Sequence, residues 1–201
     1  LDLKTAAGRE QVQRLARQAG VIVESFRPGV TKRLGIDYET FGSHRPELVY
    51  CSLTGFGPKG PYANYKGYEG VVAAKCGRMM VFSGQNGRDG PNYGAVPIAS
   101  HSAAMALVRG AVAALYVRDR TGQGQLVETS LLQTITPYDL RDWIIWQMMI
   151  QFPEDFPEDP WLRRGASAPG YVPARTKDGH WFQLANIVER LFRTMIQTLD
   201  L

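Results

Sequence analysis

One block constrains this chain more than any other: Gly55-Phe56-Gly57-Pro58-Lys59-Gly60-Pro61-Tyr62-Ala63. Three glycines and two prolines fall within its first seven residues, one residue after the apolar run Leu48-Val49-Tyr50-Cys51-Ser52-Leu53. A short apolar run bounded by turn residues reads as a buried strand. The block behind it reads as a rigid loop whose backbone a ligand can approach closely. A second run, Val21-Ile22-Val23, reads as another strand of the kind buried in a parallel sheet. Before it, Thr5 opens a helix with Val12, Leu15, Ala16 and Ala19 on one face and Gly20 at its end. Between the two strands lie helical turns around Thr31–Leu34 and Tyr38–Phe41. Strand alternating with helix predicts an α/β sheet, whose ligands sit at the carboxyl ends of its strands. The loops after Val23 and Leu53 are two such ends.

Further along, Tyr68 to Met80 reads as helix, and Ser83 to Pro97 as a turn-rich connection through Gly84, Gly87, Gly90 and Gly94. His101 to Val117 is apolar almost all round and predicts a central, buried helix. Ser100, His101 and Arg109 interrupt the apolar stretch Ile98 to Val117, so no membrane span is expected. Gly122 and Gly124 end that helix, and Leu126 to Thr129 reads as a strand. A long helix is expected from Leu131 to about Gln151, with Trp143, Trp146, Met148 and Met149 as core or subunit interface. Residues 152–160 are acidic and proline-rich, a linker. Asp178-Gly179 turns a hairpin between Tyr171–Thr176 and His180–Leu184, and Ile187 to Leu201 is an amphipathic helix. The expected architecture is therefore an open, mostly parallel Rossmann-like α/β sheet with flanking helices over residues 1–151. A linker over 152–170 follows, then the start of a second, smaller α+β domain over 171–201.

With 201 residues, 44% of them hydrophobic and 21% charged, the composition is that of an ordinary soluble globular protein. The formal charge of +4 is spread over Lys4, Arg27, Arg33, Lys66, Arg118, Arg120, Arg163 and Arg164. No stripe of cations interleaved with aromatics appears, so no nucleic acid is expected, and a small anionic ligand suits the charge equally well. Cys51 and Cys76 offer neither a disulfide framework nor metal spacing; buried thiols and no metal are expected. The start Leu1-Asp2-Leu3-Lys4 resembles no signal peptide, which predicts a cytoplasmic protein. His44 and His180 read as surface residues, and Gly84, Gly87 and Gly90 lack the strand–turn–helix context of a dinucleotide site.

Several blocks, taken in order, carry a resemblance: Val21 to Val30, Gly55 to Ala63, Gly67-Tyr68-Glu69, and Arg118 to Gln125. The chain resembles the family III CoA-transferases, which include formyl-CoA transferases, carnitine-CoA transferases and 2-methylacyl-CoA racemases, from Leu1 to about Gly179. The resemblance implies coenzyme A or acyl-CoA and a carboxylic acid as substrates. It also implies an interlocked homodimer, to which Trp143 to Phe152 would contribute. It assigns CoA contacts to Lys4, to Ser25, Phe26 and Arg27, to Arg33, and to Lys66, Tyr68 and Glu69. Cations there would meet the phosphates and Phe26 the adenine. The family's first strand lies upstream of these motifs, so the chain reads as a piece of a longer protein.

The family nucleophile is an Asp about ten residues ahead of a Gly-x-x-x-Ala-Leu segment, here Gly110 to Leu115. Counting back without gaps puts that position at Ser100, and no carboxylate lies between Asp89 and Asp119. The implied catalytic positions are thus Ser100, Glu69 and Tyr68. A family member moves CoA between acids through an enzyme-bound acyl anhydride, which a serine cannot form; it would form a more stable ester. Serine also needs a base, and His101, its immediate helical neighbour, would point elsewhere. The alternative reading is a catalytically degenerate acyl-CoA-binding domain, or half of a duplicated transferase. The racemase branch fares worst, because Tyr68 and Ser100 stand where it needs two proton-transfer groups.

Overall fold

The computed structural model describes residues 1–80, 90–156, 173–185 and 188–200. It divides into two compact units, residues 1–79 with 93–146, and residues 80–92 with 147–201. The first unit is a mixed α/β structure built on a three-stranded, wholly parallel sheet. Its strands are β1 (Val21–Glu24), β2 (Val49–Thr54) and β3 (Leu126–Ser130), with β2 in the middle. Register pairs Val21 with Val49 and Tyr50 with Leu126.

The alternation of β2 divides the core. Leu48 and Tyr50 face one side, packed with Ala16, Ile36 and Phe41 from the segments between β1 and β2 and the helix before them. Val49 and Cys51 face the other, against Leu107 and Ala114. The first side carries helix α1 (Ala6–Ala16), α2 (Val30–Leu34) and α3 (Tyr38–Gly42). Thr5 Oγ1 caps α1 by accepting the Gly8 N–H at 3.0 Å. Asp37 caps α3 by accepting from Thr40 N–H at 3.1 Å and from the Thr40 hydroxyl at 2.8 Å. Burial alone would raise the Asp37 pKa, but these Thr40 bonds outweigh it and hold the carboxyl below its ordinary range. The Tyr50 hydroxyl donates to the Ile36 carbonyl at 2.8 Å, a buried tie between the layers.

The other side is covered by α5 (Ile98–Thr121), 24 residues ended by Gly122 at φ +73°. Here the sequence expectation fails in an instructive way. Only Ala99, Ala103, Leu107 and Ala114 of α5 are buried, while Met105, Val108, Val112 and Tyr116 form an exposed stripe. Small side chains seat one face on the sheet, and nothing in the described residues covers the opposite face. Among the described residues α5 is the one helix long and apolar enough, by length and composition, to cross a membrane.

Three helix boundaries and the burial of β1 also differ from expectation. Helix α1 stops at Ala16, capped at Arg17, four residues before Gly20. Strand β1 is an edge strand with Val23 exposed, because β2 is its one partner among the described residues. The helix expected to reach Met80 ends as α4 (Glu69–Lys75), since Gly77 at φ +79° leaves the helical region before a 3₁₀ turn at Arg78–Met80. The long helix from Leu131 breaks into α6 (Leu131–Ile135), a 3₁₀ turn (Thr136–Asp139) and α7 (Leu140–Gln151). Pro137 lacks the N–H that a continuous helix would use. Cys51 is buried and Cys76 half-buried, and burial pushes both thiols up, away from the reactive thiolate.

In the second unit β4 (Pro173–Arg175) and β5 (Trp181–Gln183) pair antiparallel, and Gly179 at φ +92° makes the turn. Helix α8 spans Glu189–Leu199. The expected connection through 81–89, including Gly84 and Gly87, lies outside the described residues, as does the linker's 157–170 with Arg163 and Arg164. Tyr171, Val172, Ile187 and Leu201 lie outside them as well.

Candidate functional site

All three strands of the sheet run the same way, so their carboxyl ends open on one rim, and the chain places its loops there. After β1 the chain turns at Ser25, where the Glu24 carboxylate accepts the Phe26 N–H at 2.7 Å. After β2, Thr54 Oγ1 accepts the Gly57 N–H at 3.0 Å and folds the Gly/Pro loop back. The loop returns so tightly that Gly55 and Gly67 cross Cα against backbone. A Cβ on Gly55 would lie 2.3 Å from Gly67 Cα, and one on Gly67 would lie 2.6 Å from Gly55 Cα. No side chain fits at either position. After β3, Leu132 N–H donates to the Gly55 carbonyl at 3.0 Å and fixes the start of α6 against the same loop.

These loops enclose an open groove of about 590 Å³. Ser25, Phe26 and Arg27 line it from the first loop, Lys66 and Tyr68 from the second, and Ser100 from the start of α5. Six of the residues singled out from the sequence are thus gathered on one surface. Glu69 stands directly behind them. Its Oε1 accepts the Ala99 N–H at 2.9 Å, and its Oε2 accepts the Ser100 N–H at 2.8 Å and the Ser100 hydroxyl at 2.6 Å. Lys4 and Arg33 are exposed and do not line the groove.

The sequence reading missed two features. Phe56, Tyr62 and Tyr65 form an aromatic cluster with ring centroids 5.2–6.0 Å apart, and Tyr65 also lines the groove. Lys75 Nζ lies over it, 4.9 Å from the Tyr62 ring and 5.2 Å from the Tyr65 ring. Tyr62 and Tyr65, three apart within the loop, were the available signal. The contact between Glu69 and Ser100 spans 31 residues and had no local signal at all. No group of three His, Cys, Asp or Glu among the described residues is arranged to hold a metal ion.

The profile of CoA-transferase family III matches residues 1–201. The chain belongs to this family. Among its curated relatives is a succinate–glutarate CoA-transferase of Agrobacterium fabrum, 37% identical over 131 residues, covering 65% of this chain and 32% of that protein. A formyl-CoA:oxalate CoA-transferase of Escherichia coli is 34% identical over 135 residues, covering 67% of this chain and 32% of that protein. Among solved structures, a CAIB/BAIF family protein from Brucella suis superposes with a TM-score of 0.69 at 29% identity, over 99% of this chain and 50% of that one. The matched segment is about a third of the length of these curated relatives. The family assignment and its parallel α/β frame agree with what the ordered motifs implied.

Proposed function

We propose that the groove at the carboxyl ends of β1, β2 and β3 binds the CoA portion of an acyl-CoA and presents the thioester to residue 100. One observation carries this reading: Ser25, Phe26, Arg27, Lys66 and Tyr68 converge with Ser100 on a single groove. Arg27 and Lys66 supply charge for phosphate, and Phe26 and Tyr65 supply apolar faces. Lys4 and Arg33 would act from outside, through longer-range attraction. The relatives named above move CoA between carboxylic acids, and a carboxylic acid would be the second substrate here.

In this chain the family's acyl-anhydride route has no carboxylate at residue 100. The serine there favours the alternative of a cytoplasmic acyl-CoA-binding domain degenerate for CoA transfer, or half of a duplicated transferase. A homodimer fits the same reading. The stripe Met105, Val108, Val112 and Tyr116 along α5 is an apolar face of the kind a second copy covers, and Trp143 and Trp146 are exposed as well.

Calorimetric titration of the full protein with coenzyme A tests the reading. Arg27→Ala and Lys66→Ala should each weaken binding by about 1–3 kcal/mol, the scale of a hydrogen bond to a charged group. Arg33→Ala should cost less. Unchanged affinity in both Arg27→Ala and Lys66→Ala contradicts the groove.

A further inference from the structure

A serine at residue 100 needs a base, and its sequence neighbours offer none; the fold brings one from 31 residues away. The Ser100 hydroxyl donates to Glu69 Oε2 at 2.6 Å, while the residue lines the groove. Glu69 cannot swing aside, because the Ala99 and Ser100 N–H groups at the start of α5 clamp both of its oxygens at 2.9 and 2.8 Å. Those two bonds already satisfy the helix start. The third runs to the hydroxyl of a residue that lines the groove, and takes its proton in a hydrogen bond. That is the arrangement of an activated nucleophile: hydroxyl, acceptor for its proton, and a rigid support for the acceptor.

We infer that Ser100 and Glu69 form a nucleophile–base pair that hydrolyses acyl-CoA thioesters bound in the groove. This rests on the acyl-CoA reading of that groove. In the first step Ser100 Oγ bonds to the thioester carbonyl carbon, and its proton passes to Glu69 Oε2. The C–S bond breaks, and the departing CoA sulfur takes the proton from Glu69. In the second step a water oxygen bonds to the acyl carbon of the Ser100 ester and yields a proton to Glu69. The C–Oγ bond breaks, the proton returns to Oγ, and a free carboxylic acid departs. The sum is acyl-CoA plus water giving carboxylic acid plus CoA thiol, with no other reactant. The serine decides the product. An acyl ester is too stable for CoA thiolate to reopen readily, so water rather than a second acid completes the turnover.

The test uses the full protein with acetyl-, succinyl- and octanoyl-CoA, without added carboxylic acid. Free thiol is followed by colour reaction and the acyl adduct by peptide mass spectrometry. Expected are thiol release from at least one thioester and an acyl group on Ser100. Ser100→Ala abolishes the adduct. Glu69→Gln slows acylation by roughly 10²–10⁴-fold, the range for a lost general base. Because Glu69→Gln also alters the start of α5, Ser100→Cys serves as a second variant and should carry a hydroxylamine-labile thioester at residue 100. Coenzyme A binding, measured separately, tells the two readings apart. If coenzyme A does not bind, the groove reading and this inference fall together. If it binds but none of the three thioesters releases thiol, this inference alone is overturned. It is equally overturned if release requires an added carboxylic acid, or if the acyl group is found on Glu69.

Discussion

In the sheet-bearing unit Leu48, Val49, Cys51, Val72 and Ile135 are at most 1% exposed, whereas in the other unit Trp181 is 70% exposed and α8 has no buried residue. The apolar content of the two is not what separates them. The central strand of a parallel sheet has helices on both faces, so Leu48 and Tyr50 find partners on one side while Val49 and Cys51 find them on the other. The hairpin of β4 and β5 has two strands, largely exposed among the described residues of its unit, and such a hairpin is marginal by itself. A groove that must hold Ser100 and Glu69 within hydrogen-bond reach needs the first kind of support. The loop after β2 springs from a strand whose first residues, Val49 to Cys51, are buried in the core.

Three substitutions test that contrast. Leu48→Ala removes a nearly fully buried side chain from the tighter unit and should cost about 2–5 kcal/mol in urea unfolding. Tyr50→Phe keeps the ring but leaves the Ile36 carbonyl without its donor; a loss of about 1–2 kcal/mol is expected from the same measurement. Trp181→Ala, in the exposed hairpin, should stay within about 0.5 kcal/mol of the unmodified protein. Equal losses for Leu48→Ala and Trp181→Ala would erase the distinction between the two units.

Much of this was legible before the structure. The apolar run Leu48–Leu53 marked β2 within a residue, because a strand buried on both faces is apolar throughout; β1 and β3 were also placed within a residue, although both are partly exposed. The Gly/Pro block marked the groove, because a backbone crossing as close as Gly55 on Gly67 admits no side chain. Helix α5 was misjudged for a physical reason: composition shows that a helix is apolar all round but not which faces its neighbours reach. The site was legible as residue types and illegible as a pairing. Glu69 and Ser100 were each singled out, yet their contact is a product of how α4 and α5 begin side by side, which no spacing encodes.

Coenzyme A bound at the carboxyl ends of the strands would shield the loops of the sheet-bearing unit from solvent. Amide hydrogen exchange of the full protein, read by mass spectrometry with and without saturating coenzyme A, tests this most directly. Slowed exchange is predicted in the loops over residues 25–28 and 54–68 and at the start of α5. The segments 173–183 and 189–199 should exchange at unchanged rates. Protection confined to the hairpin or α8, with the three groove loops unaffected, would rule out coenzyme A binding in this groove.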